Sequence, residues 1–134
     1  MKDAATMQLY VSTEGNDGWT GRLDAPNKDK TDGPFATLGK AKSELRGLKQ
    51  AGKLTGPVTV LLRGGRYHLS GPIVFGPKDS WPVTYAAYPG EKPILDGGVR
   101  IEGWKVKKRG KATMWVVDLP EVAAGEWYFK QLMM

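Results

Sequence analysis

Two short segments of the chain recur in the same order, and this repetition limits the folds that the sequence can adopt. Residues 57–60 (PVTV) return 25 residues later as residues 82–85 (PVTY). Residues 72–75 (PIVF) return 21 residues later as residues 93–96 (PILD). Different strands that recur at a period of roughly 20 to 30 residues are typical of a solenoid, in which each coil adds one strand to each of several stacked sheets. Because no helical pattern lies inside the repeat, it predicts a β-solenoid.

Short strands separated by turn residues are predicted along most of the chain. Strand-forming residues occupy 9–12, and a polar loop rich in Gly, Asn, Asp and Lys follows at 13–33. After Gly56, the pattern predicts strands at residues 58–63, 67–69, 73–75, 83–88, 94–95, 99–101, 103–106, 114–119 and 127–134.

One amphipathic helix is predicted at about residues 37–51. Its apolar side chains form a single stripe, made by Leu38, Ala41, Leu45 and Leu48. Thr37 is expected to cap the start of the helix and Gly52 to end it. Such a helix can pack its apolar side on a core and expose its polar side to solvent, so we expect it to cover an open end of the core.

The chain is predicted to be a single unit, residues 1–134, with two parts. Residues 1–56 carry the first strand, the polar loop and the capping helix, and residues 57–134 carry the first coils of the solenoid. The predicted strand at 127–134 reaches the last residue without a capping element, and an uncovered coil exposes unpaired backbone. The sequence therefore predicts a truncated solenoid that self-associates through the edge strand Trp127–Met134.

Composition narrows the classes of partner. The chain has 134 residues, no cysteine and a net charge of +6, so a disulfide framework and a thiolate metal site are excluded. Neither a signal peptide nor an apolar run of about 20 residues is visible, and no membrane partner is expected. The cations concentrate at Arg100, Lys105, Lys107, Lys108, Arg109 and Lys111. They fit either a solvated hairpin around Gly110 or a surface for an acidic partner, such as a polyuronide or a nucleic acid.

Several motifs resemble those of a known group of proteins. They are YVSxxGND at 10–17, GPFATLxxA at 33–41 and GPVTVxxRGGxY at 56–67. Segments at 87–93, 96–104 and 127–132 also fit. The order resembles the amino-terminal region of right-handed parallel β-helix proteins of the pectate-lyase-like superfamily. It is most similar to the large bacterial β-helix glycoside hydrolases that act on plant and algal polysaccharides.

This resemblance implies a mainly β fold, the start of a right-handed parallel β-helix, with the helix over its amino-terminal mouth. It implies a secreted or periplasmic parent enzyme that hydrolyses polysaccharide, with lyase or epimerase chemistry as alternatives on the same scaffold. The group's catalytic acids and metal ligands lie on later coils, so no catalytic residue is assigned here and the isolated chain is expected to lack catalysis. Two alternatives stay open: a stand-alone carbohydrate-binding module, and a polyanion-binding protein. No nucleic-acid motif is present, so nucleic acid is not an expected partner.

Glycoside hydrolysis needs two carboxyl groups that face one cleft. Asp96 and Asp118 each end a predicted strand, where an aspartate also commonly supports a turn. Glutamates lie in nearby loops at Glu91, Glu121 and Glu126. The sequence pairs none of them, and the turn interpretation is favoured for both aspartates. The one histidine, His68, is interpreted as structural or exposed.

Two loops have polar patterns with weak functional interpretations. Oxygen-bearing side chains that could bind Ca²⁺ crowd the first loop at Glu14, Asn16, Asp17, Asp24, Asp29 and Asp32. Their spacing is not that of an EF-hand, so a turn-rich loop is favoured and no metal or other cofactor is assigned. Residues 63–66 (RGGR) could form a backbone nest for an anion, although a tight turn between strands is favoured.

Five tryptophans are candidates for stacking on sugar rings. Trp19 and Trp81 lie in predicted loops and are the assigned carbohydrate contacts. Trp115 and Trp127 lie within predicted strands and are expected in the core, and Trp104 is left unassigned.

Overall fold

The computed structural model describes residues 6–130 and residue 132. They form two compact units, one within Met1–Gly98 and the other within Val99–Met134. The chain is mainly β, as predicted. The strands are β1 (Met7–Val11), β2 (Val58–Leu62), β3 (Gly65–His68), β4 (Val83–Ala87), β5 (Pro93–Asp96), β6 (Lys105–Arg109) and β7 (Ala112–Val116). The helices are α1 (Leu38–Gln50), α2 (Pro120–Ala123) and a 3₁₀ turn at Pro77–Asp79. Among the described residues, each helix is too short or too polar to cross a membrane.

Two parallel sheets organise the first unit. One has the strand order β1-β2-β4 and the other pairs β3 with β5. Val58 lies opposite Val83 and Val60 opposite Tyr85, so the 25-residue repeat corresponds to real strand pairing. The sheets have three and two strands and do not close on themselves. The right-handed parallel β-helix therefore stays a prediction.

The second repeat does not correspond to paired strands, and this prediction was wrong. Strand β5 pairs with β3, with Gly65 opposite Pro93, rather than with residues 72–75. Residues 73–75 form no strand. The physical reason lies in the helix, because Lys42 Nζ donates a hydrogen bond of 2.6 Å to the Val74 carbonyl oxygen, and this segment is bonded to α1 instead of to a sheet.

The core of the first unit lies between the three-stranded sheet and helix α1. Alternate residues of β1 and β2 point inward and are almost fully buried, including Leu9, Val11 and Val60. The helix adds its predicted stripe, with Leu38, Ala41 and Leu45 buried and Leu48 packed against the cluster. Burial then decreases along the stack, since Ile94 and Leu95 of β5 are exposed by 42% and 52%.

The loop after β1 covers the outer edge of that strand. Tyr10 N–H donates to the Gly21 carbonyl oxygen at 2.8 Å, and Ser12 N–H donates to the Phe35 carbonyl oxygen at 2.8 Å. Phe35 N–H in turn donates to the Tyr10 carbonyl oxygen at 2.8 Å, while its ring is fully buried. A sheet edge with satisfied backbone groups is a poor template for further strands. The polar loop is therefore a structural part of the first unit.

Helix α1 begins and ends as the sequence predicts. Thr37 Oγ1 accepts a hydrogen bond from Lys40 N–H at 3.1 Å, and Gly52 follows the helix with φ of +66°. Arg46 on its outer side forms an ion pair with Asp79 at 2.8 Å, which fixes the helix to the 3₁₀ turn. The helix packs beside β1, the covered edge of the sheet. Its role as a cap of a solenoid stays a prediction.

The second unit contains a hairpin of β6 and β7, which are antiparallel and flank the turn at Gly110. This differs from the predicted parallel coils in this part of the chain. Residues 99–101, predicted as a strand, form none. Helix α2 was not predicted, although Pro120 at its first turn is a common start signal. The prediction of a single helix was therefore wrong.

The predicted edge strand at Trp127–Met134 is not a strand in its described residues, 127–130 and 132. Residues 131, 133 and 134 lie outside the described part of the chain. Trp127 and Phe129 contact each other, with ring centroids 6.1 Å apart, as alternate residues of an extended segment can. An extended segment becomes a strand only when its backbone pairs with a neighbour, and no neighbour pairs with residues 127–130. Self-association through Trp127–Met134 stays a prediction.

Candidate functional site

A polar groove of about 360 Å³ opens on the first unit. It lies between the loop that follows β1 and the turns that follow β2 and β4. Its lining consists of Ser12, Thr13, Glu14, Asp24, Ala25, Pro26, Arg63, Gly64 and Glu91. Hydroxyl, carboxylate, guanidinium and backbone groups thus converge on one concave surface, which is more polar than the typical site for a small molecule.

Arg63 and Glu91 form one wall of this groove. Arg63 Nη2 donates to Glu91 Oε1 at 2.7 Å and Nε donates to Oε2 at 2.9 Å. Gly64 N–H donates to Glu91 Oε2 at 2.6 Å. Residues 63 and 64 thus form the short turn between β2 and β3 that the sequence favoured, and the Glu91 carboxylate is held there by the Arg63 side chain and a single backbone N–H. Bidentate pairing of this kind fixes both side chains in one geometry.

The charge of Glu91 is strongly stabilised by these contacts. The hydrogen bonds from Arg63, followed by the one from Gly64, lower the pKa of Glu91 from 4.5 to about 2. The same pairing raises the pKa of Arg63 above its usual range. A carboxyl group with so low a pKa is ionised at neutral pH, so Glu91 is unsuited to act as a general acid. It serves as a hydrogen-bond acceptor.

Asp24 and Tyr88 extend the same network. Tyr88 OH donates to Asp24 Oδ2 at 2.8 Å, and the Asp24 carbonyl oxygen accepts a hydrogen bond from Arg63 Nη1. The Arg63 guanidinium lies over the Tyr88 ring, 4.3 Å from its centroid, in a cation–π contact. The hydrogen bond to Asp24 raises the pKa of Tyr88. Groups from the first loop and from the turns after β2 and β4 are therefore held together.

The strand repeat contained a signal for part of this network. Leu62 lies opposite Ala87, so continuing the same register by one residue places Arg63 beside Tyr88. The pairing of Arg63 with Glu91 has no such signal, because Glu91 lies in the turn beyond β4 and outside the paired strands. Sequence reasoning missed the whole cluster.

A second polar cluster lies on the exposed side of β3 and β5. Arg66 Nη1 donates to Asp96 Oδ2 at 2.7 Å, and His68 Nδ1 lies 3.8 Å from the same oxygen. Asp96 Oδ1 accepts a hydrogen bond from Gly98 N–H at 2.9 Å, and this contact is the largest cause of the lowered pKa of Asp96. Asp96 thus supports a turn, as favoured from the sequence, and the half-exposed His68 lies beside it.

The other carboxyl groups considered for catalysis lie in the second unit. Asp118, Glu121 and Glu126 are all exposed there. Glu91 and Asp96 of the first unit are each engaged by a different arginine. Neither Glu91 nor Asp96 is therefore a free carboxyl group of the kind that a catalytic acid requires.

Two acidic side chains of the first loop, Asp17 and Asp32, hold backbone N–H groups. Asp17 Oδ1 accepts from Ala36 N–H at 2.8 Å and from Thr37 N–H at 3.0 Å. Asp32 Oδ1 accepts from Thr20 N–H at 2.8 Å, and this contact is the largest cause of the lowered pKa of Asp32. Within the described residues, no group of three or more acidic or histidine side chains is arranged to hold a metal ion. The hydrogen bonds of Asp17 and Asp32 fit the turn-rich loop that the sequence favoured, and Ca²⁺ binding stays an untested alternative.

Trp19 and Trp81, the predicted sugar contacts, are both partly buried. The Trp19 ring packs against Gly33, where an added Cβ would lie 2.6 Å from ring atom Cε3. Trp81 Nε1 donates to the Gly56 carbonyl oxygen at 2.9 Å, and its ring packs against the core cluster. Trp81 also lines a small cleft beside Arg46 and Asp79. Both rings have structural contacts, and their contact with sugar stays a prediction.

The tryptophans of the second unit differ from expectation in one case. Trp115 is 68% exposed, so its predicted core position was wrong. The reason is that β7 pairs only with β6 in a hairpin whose described residues are exposed apart from the partly buried Val116. Trp127 is partly buried, and Trp104 Nε1 donates to the Ile101 carbonyl oxygen at 3.1 Å.

Comparison with known proteins gives one informative similarity. No protein-family model matches the chain, and no curated protein matches it. A solved structure described as a glycoside hydrolase is similar over 79% of this chain, with 31% sequence identity and a TM-score of 0.64. The chain spans 17% of the length of that protein. The chain therefore has a fold like that of part of a glycoside hydrolase.

Proposed function

We propose that this chain begins a right-handed parallel β-helix in a polysaccharide-degrading glycoside hydrolase. The observation that carries the proposal is the order of strand pairing: β2 and β3 are followed along the chain by β4 and β5, and β4 pairs with β2 while β5 pairs with β3. Successive coils of a parallel solenoid pair in this way. The similarity to a glycoside hydrolase supports the same interpretation.

The two edges of the larger sheet support a role at the start of such a solenoid. Gly21 and Phe35 cover the outer edge of β1, and α1 packs beside the same strand. Strand β4 is the other end of the sheet, and its core-facing residues Val83 and Tyr85 are only partly buried. Because the β1 edge of the sheet is covered and the β4 edge is less buried, further coils would be added on the β4 side.

The chemistry of the enzyme is proposed to lie outside these residues. Glycoside hydrolysis requires one carboxyl group that can donate a proton and a second that acts as base or nucleophile. Glu91 is held ionised by Arg63, and Asp96 supports a turn, so neither suits the first role. We therefore expect the isolated chain to be inactive. A polysaccharide is too large to enter a cell intact, so we propose that the enzyme is secreted or periplasmic.

The proposal is tested by exchanging segments with the similar glycoside hydrolase. The matching 17% of that protein is replaced by this chain, and hydrolysis of its own substrate is measured. We expect a folded, active chimera, whereas deletion of the segment should abolish soluble expression. A chimera that carries Leu9→Asp serves as the control, because a charge at this buried site should prevent folding. A folded but inactive chimera without that substitution would contradict the proposed role.

A stand-alone carbohydrate-binding module is the second candidate, and the polar groove of the first unit favours it. Hydroxyl-rich ligands could bind its carboxylate and guanidinium groups. This candidate predicts that the chain alone shows a thermal shift with one neutral polysaccharide, which Glu14→Gln in the groove weakens. Trp19 and Trp81 lie outside the groove lining, so Trp19→Ala and Trp81→Ala test separately whether those rings contact the sugar. The absence of any shift across plant and algal polysaccharides would leave the structural role as the better proposal.

A further inference from the structure

The hairpin of the second unit concentrates positive charge without compensation. Residues 105–111 contain five cations and no acidic residue. All five are exposed, and none forms an ion pair with any residue that the structure describes. The nearest ion pair in the sequence joins Arg100 to Glu102, outside the hairpin. Like charges packed this closely repel one another, and an anionic partner would relieve that repulsion.

The strand register distributes these cations over both faces of the hairpin. Alternate residues of one strand share a face, and so do directly opposed residues of antiparallel strands. Lys105, Lys107 and Arg109 therefore share one face, at intervals of about 7 Å along β6. The opposite face carries Lys108 on β6 and Trp115 on β7. The second face thus combines a cation with a large aromatic ring.

The exposure of Trp115 is not explained if the hairpin contacts only solvent. It is 68% exposed, and Val106 directly opposite is 52% exposed. Exposed lysines are ordinary on a solvated hairpin, but a tryptophan and a valine that are exposed side by side keep apolar area in water, and a ligand that stacked on them would bury it. Two-stranded hairpins are also only marginally stable unless something packs on them.

We propose that the β6–β7 hairpin binds an acidic polysaccharide, with a polyuronide as the chemical class. Each uronate ring has an apolar face that can stack on Trp115 and a carboxylate that can pair with Lys108. The cations on the other face add to the positive potential that attracts a polyanion. The inference rests on the proposed function for its choice of polysaccharide over other polyanions, and it concerns the second unit alone. A nucleic acid is the competing outcome in the test.

The test measures binding of the 134-residue chain to polygalacturonate by titration calorimetry at low and high salt. We expect binding that weakens as salt screens the cations. Trp115→Ala should weaken binding by about tenfold, because aromatic stacking is lost, and Trp115→Phe should restore most of the affinity. The triple variant Lys105→Ala, Lys107→Ala, Lys108→Ala should also bind at least about tenfold more weakly, because it removes the ammonium group beside Trp115 and two of the charges whose potential attracts the polymer.

The matched control removes the same charge elsewhere. Arg22, Lys28 and Lys53 are exposed cations of the first unit, and changing all three to alanine should alter the affinity less than about twofold. Equal weakening by the control would show that net charge alone attracts the polymer and would overturn the inference. Tighter binding of single-stranded DNA than of polygalacturonate, or no binding of polygalacturonate, would also overturn it. In none of these cases is the chimera result affected, so the two proposals fail separately.

Discussion

Arg63 and Glu91 join two turns that are far apart in the sequence. Arg63 directly follows β2 and Glu91 lies between β4 and β5, and their closest nitrogen and oxygen atoms are 2.7 Å apart. Because Gly64 N–H binds the same carboxylate, side chain and backbone together fix the turn after β2 against the turn after β4. The wall of the groove is therefore joined to both strands of the parallel sheet that precede these turns.

Acid should weaken the fold through this pair. The pKa of Glu91 is lowered from 4.5 to about 2, so its contribution to stability is complete above about pH 5 and is lost as the pH falls towards 2. Glu91→Gln should be less stable than the original chain at pH 7 and should lose less stability on acidification. The urea midpoints of the two proteins should converge near pH 2.

The exposed Glu14 in the same groove provides the control for that experiment. Glu14→Gln should reproduce the pH profile of the original chain, because its carboxylate has no ion-pair partner among the described residues. A parallel pH dependence for Glu91→Gln and the original chain would show that the Arg63 pair contributes little to stability.

The Tyr67 hydroxyl should contribute measurably to stability. Tyr67 is 6% exposed, and its OH bonds the carbonyl oxygens of Arg63 at 2.7 Å and Val11 at 3.1 Å. Tyr67→Phe leaves the Arg63 carbonyl without this donor, so we expect a loss of about 1–2 kcal/mol in the free energy of unfolding. Tyr10→Phe is the matched control, because its OH bonds only the exposed Gln8 side chain, and it should change stability by less than about 0.5 kcal/mol. Equal losses in urea denaturation would contradict this interpretation.

Local patterns predicted local structure well. The stripe that ends at Leu48 and the cap at Thr37 defined α1 within one residue at each end, since the period of the stripe and the cap hydrogen bond are both set by residues within one short segment. The repeat of residues 57–60 at 82–85 predicted a pairing register, because β-strands with the same side-chain pattern stack best with like residues in line. By contrast, residues 72–75 resemble residues 93–96 in sequence and form no strand, because Lys42 binds their backbone instead.

The candidate site could not be predicted from the sequence, because its contacts join residues that are far apart in the chain. Asp24, Arg63 and Glu91 lie in three different turns, and no periodic pattern relates them. The burial of Trp115 was predicted wrongly for a related reason. An alternating strand pattern does not show whether another element covers the strand. Sequence reasoning identified the strands, but exposure depends on what packs against them.

Gly21 should be far less tolerant of substitution than Gly52, although both have positive φ. Gly21 has φ of +68°, and an added Cβ would lie 2.3 Å from the buried Phe35 ring. Gly52 has φ of +66°, and nothing lies within 4 Å of its added Cβ. Gly52→Ala should therefore cost about 1 kcal/mol from backbone strain, whereas Gly21→Ala should cost about 3 kcal/mol because the ring must also move. Similar losses in urea denaturation would mean that Phe35 is not held rigidly at the β1 edge.

The burial gradient along the stack predicts the outcome of a pair of matched truncations. Leu9 of β1 is fully buried and Leu95 of β5 is 52% exposed. Leu9→Ala should lower the free energy of unfolding by about 3 kcal/mol, because it leaves a cavity between the sheet and α1. Leu95→Ala should lower it by about 1 kcal/mol or less, because about half of the side chain is already exposed. Chemical denaturation of the 134-residue chain measures both. If Leu95→Ala were as damaging as Leu9→Ala, the β5 end would already be packed in solution, and the proposal that further coils cover this end would be wrong.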